Sequence, residues 1–422
     1  MKSVLKFFSL FVLVSLLGSC GGTGTSKGKI TITYFARATT DQLAIWEKVI
    51  DNFMKENPDI RVKIENVPYQ EYWSKLLTMA AAGTTPDVIF MESTRLPAFV
   101  EKESLLAFDG LIKNDKDIKL RDFYPMALDI SRYKGKIYGL PNDLAIIALY
   151  YNKDAFDLAG LPYPGPNWTW KDLVAAGKKL TLDKNKDGQP EQYGITHYSW
   201  DIAIYQNGGD VVDNPLNPKR SAFQTARVME ALNFCRDLGF KHKITPPPVQ
   251  QQYRSVYEMF TTGYAAMTMD GHWMIPNYRK SIKGFRWDCV VLPKGRKKAG
   301  LAYGSCFSIP RASKNPEAAW KLIKYLAGYQ GQQVLIADGF SVPALKTIAD
   351  TQLYLAPPPE NQRAFLDMIP AGHLKPQTEY LMQMEDIWRS KLDLFWLNKA
   401  SANEVCREID EEVNKVLKGV KK

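Results

Sequence analysis

Apolar and polar positions along this chain alternate between two rhythms. Residues 29–35 mix β-branched and aromatic side chains with polar ones at a period of two, which predicts a strand. From 41 to 56, Leu43, Ile45, Trp46, Val49, Ile50 and Phe53 recur at helical spacing, so a helix is predicted there. Asn57-Pro58-Asp59 stops it, and residues 60–67 predict a second strand. A further helix over 69–82 ends at Gly83, and the short continuous apolar run 87–91 predicts a buried strand. The same grammar returns later: 137–141 leads into an apolar strand at 145–152, and a helix over 170–180 carries Thr169 as its cap. Pro215 and Pro218 punctuate a loop before a helix near 222–238, and Pro246-Pro247-Pro248 marks another loop. A helical segment beginning at Ser313 places Pro316 in its first turn, with Ala319, Trp320, Ile323 and Leu326 at apolar positions. From 361 onward the pattern is mostly helical, closing with Val405, Ile409, Val413 and Leu417. Strand, helix and strand in succession imply an α/β sheet, and no short repeat interrupts them.

The N-terminus has a different character. Lys2 and Lys6 precede an apolar run at 7–17, then Gly18, Ser19 and Cys20, the order of a charged region, a hydrophobic region and a small-residue processing site. The run is about half of the ~20 residues a spanning helix needs, which favours a removable signal peptide over 1–19. Leu17-Gly18-Ser19-Cys20 resembles the lipobox of bacterial lipoproteins, with Gly18 where other small residues are more usual. That resemblance implies that Cys20 is lipidated, and that the protein is exported and held on the outer face of the cell membrane or faces the periplasm. Residues 21–28 are almost all Gly, Thr and Ser and predict a flexible tether. No later stretch approaches the length and apolarity of a membrane span.

About 390 residues follow the tether, enough for two domains of ordinary size. With 45% hydrophobic and 24% charged residues, the composition is that of a globular chain and excludes disorder. The formal charge of +10 falls to +8 once Lys2 and Lys6 are removed, and the basic residues are spread along the chain, so no nucleic-acid footprint is present. Cys235, Cys289, Cys306 and Cys406 show no CxxC spacing and no neighbouring histidine, which argues against zinc. Export permits disulfides without specifying one. Cys289 and Cys306 are the pair to test, with buried free thiols as the other reading.

Asn57-Pro58-Asp59-Ile60, Ala81-Ala82-Gly83-Thr84-Thr85-Pro86-Asp87-Val88, Gly135-Lys136-Ile137-Tyr138-Gly139-Leu140-Pro141 and Tyr151-Asn152-Lys153-Asp154 resemble signature segments of the family 1 extracellular solute-binding proteins of ABC sugar importers, the group that contains maltose-binding protein. Thr169-Trp170, Asp187-Gly188 with Tyr193-Gly194, Asn207-Gly208-Gly209, residues 263–267 with Gly271-His272-Trp273, and 313–320 follow in the expected order. The resemblance implies a two-lobed α/β fold of the type II periplasmic-binding class, each lobe a sheet flanked by helices and the two hinged by crossover segments. It implies a first lobe of 29–142 plus 301–327 and a second of 145–298 plus 331–422. It further implies a monomer without cofactor or bound metal, a sugar in the cleft, and the permease subunits of an ABC importer as partners.

A sugar offers C–H faces for aromatic stacking and hydroxyl edges for hydrogen bonding, and ligands of open α/β sheets dock beyond the carboxyl ends of strands. Arg37 and Thr39 follow the first predicted strand, where the alternative is a helix cap at Thr40 or Asp41 beside a solvated Arg37. Glu92, Thr94 and Arg95 follow the run ending at Met91 and match the family's second ligand loop, against the alternative of a surface salt bridge. Met91 stands where maltose-binding protein has a stacking tryptophan. Asp143 falls at the first crossover, or is a turn residue after Pro141. Tyr198 and Trp200, with Asn207 beyond them, are candidates for stacking from the second lobe, against a core role. Asp270, Gly271 and Trp273 match the family segment in which a tryptophan forms an aromatic floor, and Ser305 lies at the second crossover among glycines that could serve as hinges. Arg37 and Arg95 leave an anionic sugar open.

The competing class is a secreted glycoside hydrolase, for which Glu92, Asp143 and Asp270 are plausible carboxylates. His197, His242, His272 and His373 show no HExxH spacing, and there is no Gly-x-Ser-x-Gly elbow at a strand-to-helix turn and no P-loop, so a receptor rather than an enzyme is expected. A lipid-anchored scaffold for a protein partner is a third class. Asp183-Lys184-Asn185-Lys186-Asp187-Gly188 begins like a calcium loop, but Gly194 stands where the closing acidic residue belongs, so a turn is expected.

Overall fold

The computed structural model describes residues 29–337, 339 and 341–419; the expected signal peptide, Cys20 and the tether lie outside the described residues. Ile30–Arg37 buries Ile32, Tyr34, Phe35 and Ala36, and so hides both faces, as a central strand must. Ile60–Val67 pairs with it in parallel from Ile30↔Ile60 to Arg37↔Val67, and Val88–Glu92 pairs in parallel on its other side. The intervening helix Thr40–Glu56 buries Trp46, Val49, Ile50 and Phe53. Its cap is Thr39, whose hydroxyl accepts from Gln42 N while the Gln42 side chain accepts from Thr39 N, a capping box one residue earlier than expected.

Gly300–Ser308 joins the sheet antiparallel to Val88–Glu92, and Leu140–Asn152 runs antiparallel to Gly300–Ser308. The strand expected at 145–152 begins earlier and carries no turn at Asn142-Asp143: Leu140–Asn152 is a continuous strand of 13 residues with a register irregularity between Pro141 and Asp143. Its first half belongs to the first lobe. Its second half pairs with Met267–Gly271 and Trp287–Val290 in the second. Two more crossings flank it, at Gly300–Ser308, which also pairs with Gly372–Leu374, and at Val342–Pro343, which pairs with Asp143 and Leu144.

Helices cover both halves. Pro316–Ala327 starts three residues after Ser313, because Ser313 Oγ and Asn315 Nδ2 donate to Asp87 Oδ1 and hold the approach. Tyr329–Ile336 packs against Thr40–Glu56. On the other lobe, Ala226–Phe240, capped by Thr225, packs against Ala402–Leu417, which buries Val405, Ile409 and Val413 and packs in turn on Leu381–Trp396.

Cys289 and Cys306 are free thiols. Cys306 lies opposite Pro141 and Cys289 opposite Tyr150, nine residues further along the same strand, which separates them by about 30 Å at the usual rise. No disulfide spans that distance. Cys289 Sγ donates instead to the Asn361 carbonyl at 3.1 Å.

Candidate functional site

The ends of the parallel strands and the three crossings enclose a cavity of about 900 Å³ between the lobes. On the first lobe Arg37 and Glu92, at the carboxyl ends of their strands, pair at 2.9 Å. The Arg37 guanidinium lies over the rings of Tyr69 at 4.5 Å and Phe90 at 4.3 Å, which fixes its plane. Burial raises the Glu92 carboxyl above its ordinary range, and Arg37 and Arg95 oppose that rise. Thr39, Thr94 and Arg95 complete this wall, Arg95 also reaching over Trp73 at 5.3 Å.

The floor is stitched across the crossings. Asp143 Oδ1 accepts from Ser305 N at 2.8 Å and Ser305 Oγ at 2.7 Å, and Asp143 Oδ2 accepts from Ser341 Oγ at 3.3 Å. Asn142 Nδ2 donates to Ser305 Oγ at 2.9 Å. Gln332 Nε2 donates to the Pro141 and Asn142 carbonyls, while Leu345 N donates to Gln332 Oε1. Burial pushes the Asp143 carboxyl up, and the Ser305 hydrogen bonds work against that push. Asp143 and Ser305 thus line the cavity and also tie the three crossings together.

The second lobe supplies Trp273, 5.8 Å from Tyr303 at an interplanar angle of 44°, and beside them Ser199, Asp201 and the pair Lys375–Glu385 at 2.6 Å. Ser199 Oγ donates to Asp201 Oδ1 at 2.5 Å.

The structure brings Arg37, Thr39, Glu92, Thr94, Arg95, Asp143, Trp273 and Ser305 to one cavity and leaves the other candidates behind its wall. Tyr198 is buried edge-on against Trp170 and Phe234, its hydroxyl donating to Gln206 Oε1 at 2.7 Å. Trp200 packs between Phe223 and Trp388. Asn207 is buried, donating to the Arg227 carbonyl and Glu230 and accepting from Arg296. Asp270 accepts from the Tyr278 hydroxyl at 2.9 Å, and burial pushes its carboxyl up to about 6. Gly271 lies under the Trp273 ring. Lys375, Glu385, Asp201 and Ser199 escaped the sequence reading; the first two sit in a stretch whose periodicity reads as helix, although Gly372–Leu374 is a strand.

The histidines stand apart from the cavity. His272 is buried against Tyr354 with Nε2 3.1 Å from Gln362 Oε1, and burial lowers it to about 3, so it stays neutral. His373 Nε2 lies 3.0 Å from Asp210. The 183–191 turn closes on itself: Gly188 N donates to Asp183, Asp187 N to Asn185 and Lys184 N to Glu191. Among the described residues no three His, Cys, Asp or Glu side chains are grouped to hold a metal, and no helix is long and apolar enough to cross a membrane.

The model of the bacterial extracellular solute-binding protein family matches residues 37–333. A putative binding protein of Brucella abortus is 24% identical over 412 residues, 96% of this chain and 97% of the relative. The galactooligosaccharide-binding protein of Bacillus subtilis is 24% identical over 402 residues, 90% of this chain and 89% of the relative. An ABC substrate-binding protein of Listeria monocytogenes, solved in complex with cycloalternan, superposes with a TM-score of 0.83 at 26% identity, covering 93% of this chain and 100% of that one. The sugar-binding protein MalE of Xanthomonas citri shares the fold with a TM-score of 0.79 at 24% identity, covering 92% and 98%.

Proposed function

The chain belongs to the bacterial extracellular solute-binding proteins, and we propose that its cleft captures a sugar, a mono- or oligosaccharide, and delivers it to the membrane permease of an ABC importer. The observation that carries this reading is the pairing of an aromatic surface, Trp273 and Tyr303 at 5.8 Å, with a wall of fixed polar groups on the other lobe, Arg37 and Glu92 at 2.9 Å. A sugar's C–H faces meet the first and its hydroxyls the second. The binding of galactooligosaccharide and of cycloalternan by two relatives supports the same chemistry.

In this reading Arg37, Thr39, Glu92, Thr94, Arg95 and Trp273 touch the sugar, and Asp143 and Ser305 hold the floor. Tyr198, Trp200, Asn207, Asp270 and Gly271 act from behind the wall. In this reading the first lobe is 29–142 plus 301–327 and the second 145–298 plus 331–422, except that Tyr329–Ile336 is assigned to the first because it packs against Thr40–Glu56. Sugar binds one lobe, the other rotates over it about the three crossings, and the closed monomer docks on the permease. The 1–19 segment directs export, and a lipid on Cys20 holds the protein at the outer face of the membrane.

A thermal-shift panel tests the reading, since a ligand that binds only the folded protein raises its melting temperature. A rise with at least one sugar and none with amino acids, peptides or polyamines is expected; no rise with any sugar contradicts it.

A further inference from the structure

Resting on the sugar-binding reading, we infer that this cleft selects a sugar without negative charge and rejects uronic acids and sugar phosphates. The charged side chains on the cavity wall are three cations, Arg37, Arg95 and Lys375, and five carboxylates, Asp41, Glu92, Asp143, Asp201 and Glu385, an excess of two negative charges. That sign is opposite to the formal charge of +10 of the whole chain.

Two of the cations are already committed. Arg37 pairs with Glu92 at 2.9 Å and is sandwiched by Tyr69 and Phe90, so it cannot turn to a new anion without leaving both rings. Lys375 Nζ lies 2.6 Å from Glu385 Oε1. Arg95 lies over Trp73, which is not on the wall. The carboxylates of Asp41, Asp143 and Asp201 make no ion pair among the described residues; Asp143 is held by Ser305 and Ser341, and Asp201 by Ser199 and Ile202 N. Burial first, then the charges of Asp201, Asp270 and Glu92, raise the Tyr303 hydroxyl well above its ordinary range.

An acidic ligand entering this site finds one wall cation outside an ion pair, Arg95, against three wall carboxylates outside ion pairs, Asp41, Asp143 and Asp201; anywhere else it must break an existing pair, stranding a carboxylate, or lie uncompensated, and both are costly away from bulk water. A neutral sugar meets no such conflict. Its hydroxyls donate to Glu92, Glu385 and Asp201 and accept from Arg37, Arg95 and Lys375 with the pairs left in place.

The test is calorimetric and thermal-shift titration of the full-length protein with matched pairs: neutral di- and trisaccharides beside the same sugars oxidised to uronic acids or phosphorylated. The neutral members are expected to bind roughly tenfold or more tightly than their acidic partners. Equal or tighter binding of the acidic members overturns the inference and leaves sugar binding standing. No response in either series overturns sugar binding itself, and this inference with it. Glu92→Gln and Glu385→Gln each release one cation, and in variants shown by circular dichroism to be folded the acidic-to-neutral affinity ratio should rise roughly tenfold. A ratio unchanged in both overturns the assignment of selectivity to these pairs.

Discussion

The Trp273 ring lies so close over Gly271 that a Cβ on the glycine would fall 2.0 Å from Cζ3 of the indole. Only a residue without a side chain lets the strand Met267–Gly271 end directly beneath the aromatic surface of the cleft. Gly271→Ala therefore displaces the indole while leaving its strand paired. A roughly tenfold loss of sugar affinity with a small change in melting temperature is expected, measured by titration calorimetry and thermal melts.

The stitching of the crossings predicts a stability effect separate from binding. Ser305→Ala removes the hydroxyl that donates to Asp143 and accepts from Asn142, leaving buried polar groups short of a partner. Urea unfolding of the ligand-free protein should show a loss of about 1–3 kcal/mol.

Asp270 provides a pH prediction with a definite sign. Burial raises its carboxyl to about 6 in the folded protein, so folding favours the protonated acid. Its contribution is fully present below the unfolded carboxylate range and is lost as pH rises through about 6. Melting temperatures of wild type and Asp270→Asn from pH 4 to 8 should separate progressively, with the wild type losing stability relative to the variant as pH rises. A constant difference would contradict this assignment.

Because Cys289 and Cys306 lie on two different strands, opposite positions of Leu140–Asn152 about 30 Å apart, mild oxidation should not join them. Alkylation and mass spectrometry of the unfolded protein should find Cys235, Cys289, Cys306 and Cys406 all free, and a reductant should leave the melting temperature unchanged.

Much of the fold was legible because local signals and tertiary needs agree. The period-two run at 29–35, the helix stopped by Asn57-Pro58 and the apolar run before Glu92 each became the expected element, and Arg37 and Glu92, singled out beyond strand ends, both line the cavity. At Asn142-Asp143 a turn stayed open as the alternative to a crossover because two polar residues interrupt an apolar run. Ser305 and Gln332, distant in sequence, satisfy that segment and keep it in the strand. Tyr198 and Trp200 misled for a related reason: an aromatic side chain after a strand serves a core and a cleft equally, and Gln206, Phe223 and Trp388 decide between them. Lys375 was hidden by helical periodicity around a strand of three residues that pairs with Gly300–Ala302 some seventy residues earlier, and Glu385 sits on the helix Leu381–Trp396, whose periodicity alone does not say which polar position meets the cavity.

The measurement that bears most directly on the central claim is calorimetric titration of the sugar giving the largest thermal shift into wild type and Trp273→Ala. Saturable one-site binding by the wild type, weakened at least about tenfold in a variant that melts as a folded protein, is the predicted result. Equal affinity in the two proteins would contradict the placement of the sugar against Trp273 and Tyr303.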